Sequence, residues 1–279
     1  MDFDFGAYLT SNFFTLVFLG IVASLVWGYF QRKKQAEARE ALHAEQADAA
    51  RAEGIHLTAQ PEGPVVMHSP LGQPVVGGET RYEGIDHGIA WELTSKTGVT
   101  RDDSPGTAHR VWSTQSIWKT RDVLWPEGKY LMIMSTPGEI KTNEVKQDGF
   151  LGKIVNAAAN LALDLYVSQY FGSKYAPLIN LSEEAEIIKK PGFEDFFVLT
   201  NEPYLAEQFL TEPAVRAISA WKKENQGFTQ ESGVDQFGVL FAPDACLVTC
   251  RAAMASPAEA RRYAGFAAGL AVNMQGVLR

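Results

Sequence analysis

Residues 234–252 read VDQFGVLFAPDACLVTCRA, in which two apolar runs lie on either side of the pair Pro243-Asp244. Both runs are rich in β-branched and aromatic side chains, which favour strands, and a Pro-Asp pair favours a tight turn. The stretch therefore predicts two strands, Val234–Phe241 and Cys246–Ala252, joined as an antiparallel hairpin.

The same strand signal recurs upstream of this hairpin, bounded each time by Gly, Pro, Asn or Asp. The further predicted strands are Gly88–Thr97, His109–Thr120, Lys129–Thr136 and Phe193–Thr200. The predicted helices are Phe150–Phe171, Pro203–Leu210, Pro213–Asn225 and Pro257–Gln275. The last of them follows Ser256 with Glu259 three residues on, which is the pattern of a capping box. Because strands and helices do not alternate, we expect an α+β domain with a mainly antiparallel sheet and flanking helices.

This domain is predicted to occupy residues 85–279, and three other segments precede it. Gln31–Glu53 is rich in Ala, Glu, Gln, Lys and Arg without an apolar stripe, which predicts a polar helical stalk. Residues 54–84 contain four prolines and the pair Gly77-Gly78, and this composition predicts a linker without regular structure.

The N-terminal part of the chain carries an uncharged apolar run, Phe13–Phe30, of eighteen residues. Its length lies near the lower end for a membrane-spanning helix. A cleavable signal peptide is disfavoured because acidic Asp2 and Asp4, and no basic residue, precede the run. We therefore expect a single transmembrane helix that continues into the stalk.

Basic residues directly follow this run, and they predict its orientation. Lys and Arg are retained on the cytoplasmic side, and Trp and Tyr favour the headgroup region. Residues 1–12 are therefore expected outside, and the domain in the cytoplasm of a bacterial-type inner membrane. The predicted interface residues are Tyr8, Trp27, Tyr29, Arg32, Lys33 and Lys34.

Small residues recur every four positions along the predicted anchor. This spacing forms a groove in which the backbone of another membrane helix can approach closely. The predicted helix-packing residues are Gly20, Ala23, Ser24 and Gly28.

Composition excludes several classes of protein. With 33 acidic and 25 basic residues the formal charge is −8, which disfavours nucleic acid as a partner. The two cysteines, Cys246 and Cys250, cannot form a disulfide framework, and we expect both to be reduced thiols.

No catalytic or phosphate-binding motif occurs in the sequence, so it predicts neither an enzyme nor a bound cofactor or metal. A metal site made of scattered residues stays an alternative, although such residues are more often turn formers. Its candidate ligands are Glu83, Asp86, His87, Asp102 and Asp103.

Two residue groups are candidates for a partner surface or a ligand pocket. Four tryptophans fall within the first three predicted strands, where they could equally fill the core: Trp91, Trp112, Trp118 and Trp125. A polar stripe runs along the otherwise apolar helix Phe150–Phe171, which is a central core helix or an interface. The candidate residues of this stripe are Lys153, Asn156, Asn160 and Asp164.

These features together are typical of an accessory or scaffold subunit that binds a larger integral-membrane complex within the lipid bilayer. Nothing in the sequence selects between a photosynthetic and a respiratory complex. The alternative is a membrane-tethered cytoplasmic domain that binds a small molecule or lipid, with or without enzymatic activity.

Overall fold

The computed structural model describes residues 5–67, 73–100, 110–135, 161, 163–179, 184–224, 237–252, 254 and 256–278. Within these ranges the side chains of residues 5–14, 16, 100 and 110–113 lie outside the description. The chain divides into two compact units, Met1–Glu45 and Gln46–Arg279.

The first unit consists of helix α1 (Phe5–Ala52) up to Glu45. The predicted stalk is therefore helical, as its helix-forming composition indicates. None of the helices in the described part of the chain combines the length and the apolar character that a membrane crossing requires, so the predicted transmembrane helix is unsupported by the structure. The side chains of Phe13, Phe14 and Leu16 in the predicted segment lie outside the described residues.

The second unit is built on antiparallel strands. They are β1 (His56–Ala59), β2 (Val65–Val66), β3 (Val75–Val76), β4 (Gly78–Asp86), β5 (Ile89–Thr100), β6 (Arg110–Thr120), β7 (Leu131–Ser135), β8 (Glu186–Ile188), β9 (Phe196–Thr200), β10 (Phe237–Ala242) and β11 (Ala245–Cys250). Nine of them form one sheet, ordered β1-β4-β5-β6-β11-β10-β7-β9-β8, in which every neighbouring pair is antiparallel. The strands β2 and β3 form a separate ladder. The predicted α+β class with a mainly antiparallel sheet is confirmed.

All six predicted strands are present, and the hairpin of β10 and β11 turns at Pro243-Asp244 as expected. The segment 54–84 differs from its prediction, because β1 to β3 and most of β4 lie within it. The described prolines of this segment do not interrupt a central strand. Pro61 and Pro64 lie between β1 and β2, and β4 begins after Pro74. Since Pro61, Pro64 and Pro74 all lie outside the strands, they satisfy the rule that excludes proline from the interior of a sheet.

One face of the sheet, the inner face, is covered by three helices. They are α3 (Pro203–Phe209), α4 (Glu212–Glu224) and α5 (Pro257–Val277). Their apolar side chains form a single core with the inner side chains of the strands, and within it Tyr263 of α5 donates its hydroxyl to the carbonyl of Val248 at 2.8 Å. The predicted capping box is present, since the Ser256 hydroxyl accepts from the amide of Glu259 and the Glu259 carboxylate accepts from the amide of Ser256.

The opposite, outer face carries a second, smaller core. Residues 163–170 are helical (α2) and pack against the strands through Leu163, Val167 and Tyr170. This confirms the C-terminal part of the predicted helix Phe150–Phe171, whose preceding part lies outside the described residues. Leu165 of α2 and the preceding Leu161 are exposed, so among the described residues this segment is core on one side and exposed on the other.

Candidate functional site

A row of directly opposed residues crosses the outer face through all nine strands. We call it the outer row, and it comprises His56, Glu83, Glu92, Lys119, Leu247, Leu240, Met132, Leu199 and Ile187. The last five are apolar and belong to, or pack against, the core under α2. The first four are polar and exposed or half-buried. Within the described part of the chain, the sheet therefore has one covered half and one bare half on the same face.

A groove of about 420 Å³ lies on the bare half. We call it the outer-face groove, and it is lined by His56, Glu83, Gly84, Ile85, Ala90, Trp91, Glu92, Lys119, Thr120, Arg121 and Asp122. Cations and carboxylates are both present, and Ile85 adds an apolar side chain that is 73% exposed. At Gly84 the ring of Trp91 lies so close that an added Cβ would collide with it, which explains the glycine.

Hydrogen bonds hold the end of the groove where β6 leaves the sheet. The amide of Ala90 donates to the Asp122 carboxylate at 2.7 Å, and the Thr120 hydroxyl donates to the carbonyl of Ala90 at 2.6 Å. The same hydroxyl accepts from the amide of Asp122 at 3.1 Å. The turn that carries Asp122 is thereby tied to the start of β5.

Behind the groove, the buried carboxylate of Asp86 accepts from the indole of Trp91 at 3.0 Å and from the guanidinium of Arg261. This network joins the β4–β5 hairpin to α5. His87 and Gly88 form the turn of that hairpin, both with positive φ (52° and 79°), as a tight two-residue turn requires.

The residues named above as candidate metal ligands do not come together in the described structure. Glu83 is on the outer face, Asp86 is bonded on the inner side, and His87 is in the turn. Asp102 and Asp103 lie outside the described residues. Within the described ranges, no three His, Cys, Asp or Glu side chains are grouped so that they could hold a metal ion.

Three of the four candidate tryptophans belong to the inner core, where Trp91, Trp118 and Trp125 are all buried. Only Trp91 also borders the outer-face groove. The side chain of Trp112 lies outside the description. Of the predicted polar stripe, Asp164 is half-buried on α2, while Lys153, Asn156 and Asn160 lie outside the described residues.

The candidate residues of α1 are mostly exposed. Ala23, Ser24, Trp27, Tyr29, Arg32, Lys33 and Lys34 are exposed and Gly28 is half-buried, whereas the side chain of Tyr8 lies outside the description. A Cβ added at Gly20 or Gly28 would meet nothing within 4 Å.

Both cysteines are buried free thiols on the inner side of β11. Burial raises the pKa of Cys246 above its usual range and that of Cys250 to about 11. The thiolate, the form that attacks electrophiles, is therefore scarce at neutral pH, and neither residue suits a nucleophilic role.

Sequence reasoning did not find the outer-face groove. Its residues come from four strands and the turn after β6, and only the register brings them together. A weak signal was available in the first part of β4, where the charged residues Glu79, Arg81 and Glu83 occupy every second position, as on the bare face of a strand.

No family model and no curated protein matches this chain. A crystal structure of the mycobacterial trehalose monomycolate transport factor A, TtfA, is similar over 86% of this chain and 96% of that chain. The sequence identity is 10% and the TM-score is 0.39, values too low to support an argument about function.

Proposed function

We propose that this protein is a membrane-anchored accessory or scaffold subunit, which binds a larger integral-membrane complex through α1 and presents its α+β domain in the cytoplasm. The observation that carries the proposal is the run of exposed apolar side chains on α1 between Val17 and Phe30. Phe18 is 64% exposed, and Leu25 and Trp27 are each 68% exposed.

Large contiguous apolar surfaces usually mark a membrane or protein contact, because their exposure to water is unfavourable. At a rise of 1.5 Å per residue, the predicted anchor of eighteen residues is about 27 Å long, close to the hydrocarbon core of about 30 Å. A bilayer is therefore the environment that would cover this helix on all sides.

The charges at the ends of the anchor support the proposed orientation. Arg32, Lys33 and Lys34 follow the apolar run, whereas Asp2 and Asp4 precede it. Basic residues favour the cytoplasmic side, which supports an orientation with the N-terminus outside. The scaffold role is supported by the open space beside Gly20 and Gly28, since a neighbouring helix could approach the backbone there.

The partner contact is tested by replacing Gly20, Ser24 and Gly28 together with Leu. We expect the variant to stay in the membrane after alkaline carbonate washing but to lose the partners that co-purify in mild detergent. The matched control replaces Thr15, Val22 and Val26 with Leu, because these positions lie on the opposite side of α1 and should tolerate the added bulk. Unchanged co-purification of the first variant would refute the scaffold role, and release of the wild-type chain by carbonate would refute the anchor.

The orientation is tested by cysteine labelling of intact cells. The native thiols are buried with raised pKa values, so they give little background with an impermeant maleimide. A Ser11→Cys variant should be labelled, and a Glu40→Cys variant should react only after the membrane is permeabilised. The reverse pattern would place the domain outside the cytoplasm.

A further inference from the structure

We propose that the outer-face groove binds a small zwitterion with a primary ammonium and a phosphate group, such as phosphoethanolamine. Glu83 and Glu92 would contact the ammonium, and Lys119 and Arg121 would contact the phosphate. This inference is independent of the proposed function, because it concerns residues of the second unit alone.

The first argument is the direct opposition of two carboxylates. Glu83 on β4 and Glu92 on β5 are cross-strand partners in the register. Like charges directly opposite each other destabilise a sheet. A cation bound between them would remove this cost, and an ammonium offers three donors to the two carboxylates.

Within the described part of the chain, no basic side chain forms an ion pair within 4 Å of the Glu83 or Glu92 carboxylate. Arg81 and Lys96 both form ion pairs with Glu79. The pKa of Arg81 is raised mainly by Glu79, and the charge of Glu92 adds to this shift. Lys119 is directly opposite Glu92, yet no ion pair within 4 Å forms between them. The carboxylate pair is therefore left available to a ligand.

The second argument is the pair of bases beside the carboxylate pair, where Lys119 is the cross-strand partner of Glu92. Lys119 lies at the end of β6, and Arg121 follows the strand, so both border the groove. Two bases suit a phosphate monoester better than a carboxylate, because the phosphate carries about −1.5 to −2 charges at pH 7 and offers three acceptor oxygens, enough for both an arginine and a lysine.

The size and the apolar part of the groove are consistent with a small organic molecule. Its volume of about 420 Å³ falls within the range of ligand sites, roughly 300–1,000 Å³. The exposed side chain of Ile85 and the methyl group of Ala90 offer apolar contact for the methylenes between the charged groups.

The test is isothermal titration of the purified full chain with phosphoethanolamine. We expect saturable binding that weakens about tenfold or more in an E83Q/E92Q variant and in a K119Q/R121Q variant, since each loses charge-assisted contacts. The matched controls, E127Q and K223Q, remove exposed charges outside the groove and should change the affinity less than twofold. Circular dichroism of each variant verifies that it is folded.

Phosphocholine and inorganic phosphate test the chemistry of recognition. A quaternary ammonium donates no hydrogen bond, so phosphocholine should bind several-fold more weakly than phosphoethanolamine. Equal binding of inorganic phosphate, absence of phosphoethanolamine binding, or binding that the four groove substitutions leave unchanged would each overturn the proposal. Titration with the short-chain lipid dihexanoyl-phosphatidylethanolamine then identifies the source: tighter binding than phosphoethanolamine indicates a lipid headgroup, and weaker binding indicates the free metabolite.

Discussion

The outer face of the sheet is divided into a covered half and a bare half, and the change falls between two neighbouring strands. Along the outer row, Lys119 of β6 is followed on β11 by Leu247, which belongs to the core under α2. Both halves share their inner face with one continuous core. The two halves therefore differ only in whether the outer side of their strands is covered.

The sequences of the strands reflect this division. The covered strands β7, β10 and β11 are buried at every residue and are almost continuously apolar, whereas β4 alternates buried with exposed residues. A strand covered on both faces needs apolar side chains at every position, and a strand with one bare face needs them at every second position. Of the buried residues of β4 only Tyr82 is apolar, since Thr80 and Asp86 are polar, so the bare half is marked by the exposure pattern of its strands, and the groove lies there.

The largest expected effect is a core deletion in the covered half. Leu199 is completely buried on the outer side of β9, so a Leu199→Ala variant should lose about 2–5 kcal/mol of unfolding free energy. An Ile85→Ala variant in the bare half should change it by about 0.5 kcal/mol or less, because Ile85 is exposed. Urea denaturation of the full chain in mild detergent measures both. Equal losses would contradict the division of the face.

A second prediction concerns Phe171, which follows α2 and packs closely over Gly238 in the covered half. A Cβ added at Gly238 would meet the ring of Phe171 at 2.7 Å and the methyl group of Thr249 at 3.2 Å. Gly238→Ala should therefore destabilise the protein by about 1–3 kcal/mol through overpacking. The control is Gly265→Ala in α5, where the Cβ meets nothing within 4 Å and the helix gains up to about 1 kcal/mol. A neutral Gly238→Ala variant would indicate that Phe171 packs loosely.

Features that depend on residues close together in the chain could be predicted from the sequence, and features that depend on strand pairing could not. The β10–β11 hairpin and the Ser256 cap were predicted correctly because each depends on residues close together in the chain. The strands of residues 56–76 were missed, since two to four residues are too few to show a period of two. The outer-face groove was missed for a different reason: Glu83, Glu92 and Lys119 become neighbours only through strand pairing.

A smaller effect is expected from relief of the like-charge pair in the bare half. Glu83→Gln should raise the unfolding free energy by about 0.2–1 kcal/mol in the absence of ligand, because Glu92 is directly opposite. The gain should shrink at high salt, which screens exposed charges. Glu127→Gln is the control, since Glu127 is an exposed residue outside the strands. A loss of stability in the Glu83 variant would mean that its carboxylate already has a favourable partner.

The smallest expected effect is that of the ion pair at the β10–β11 turn, on the covered side of the sheet. Lys174 approaches the carboxylate of Asp244 at 2.6 Å, with more than half of each side chain exposed. Burial alone would raise the pKa of Asp244, but the hydrogen bond and charge of Lys174 outweigh it and hold this pKa below its usual value. Because solvent screens the pair, Asp244→Asn should cost no more than about 0.5 kcal/mol at pH 7.

The pH dependence separates this ion pair from a simple packing effect. A carboxyl group with a lowered folded-state pKa contributes stability that is fully present above its unfolded-state pKa of about 3.9 and is lost as the pH falls through the folded-state value. The difference in unfolding free energy between wild type and Asp244→Asn should therefore be constant from pH 7 to about pH 5 and decrease below about pH 4. If the difference in unfolding free energy stayed the same below pH 4, the cause would be the shape of the asparagine side chain. The charge of Lys174 would then not stabilise the turn.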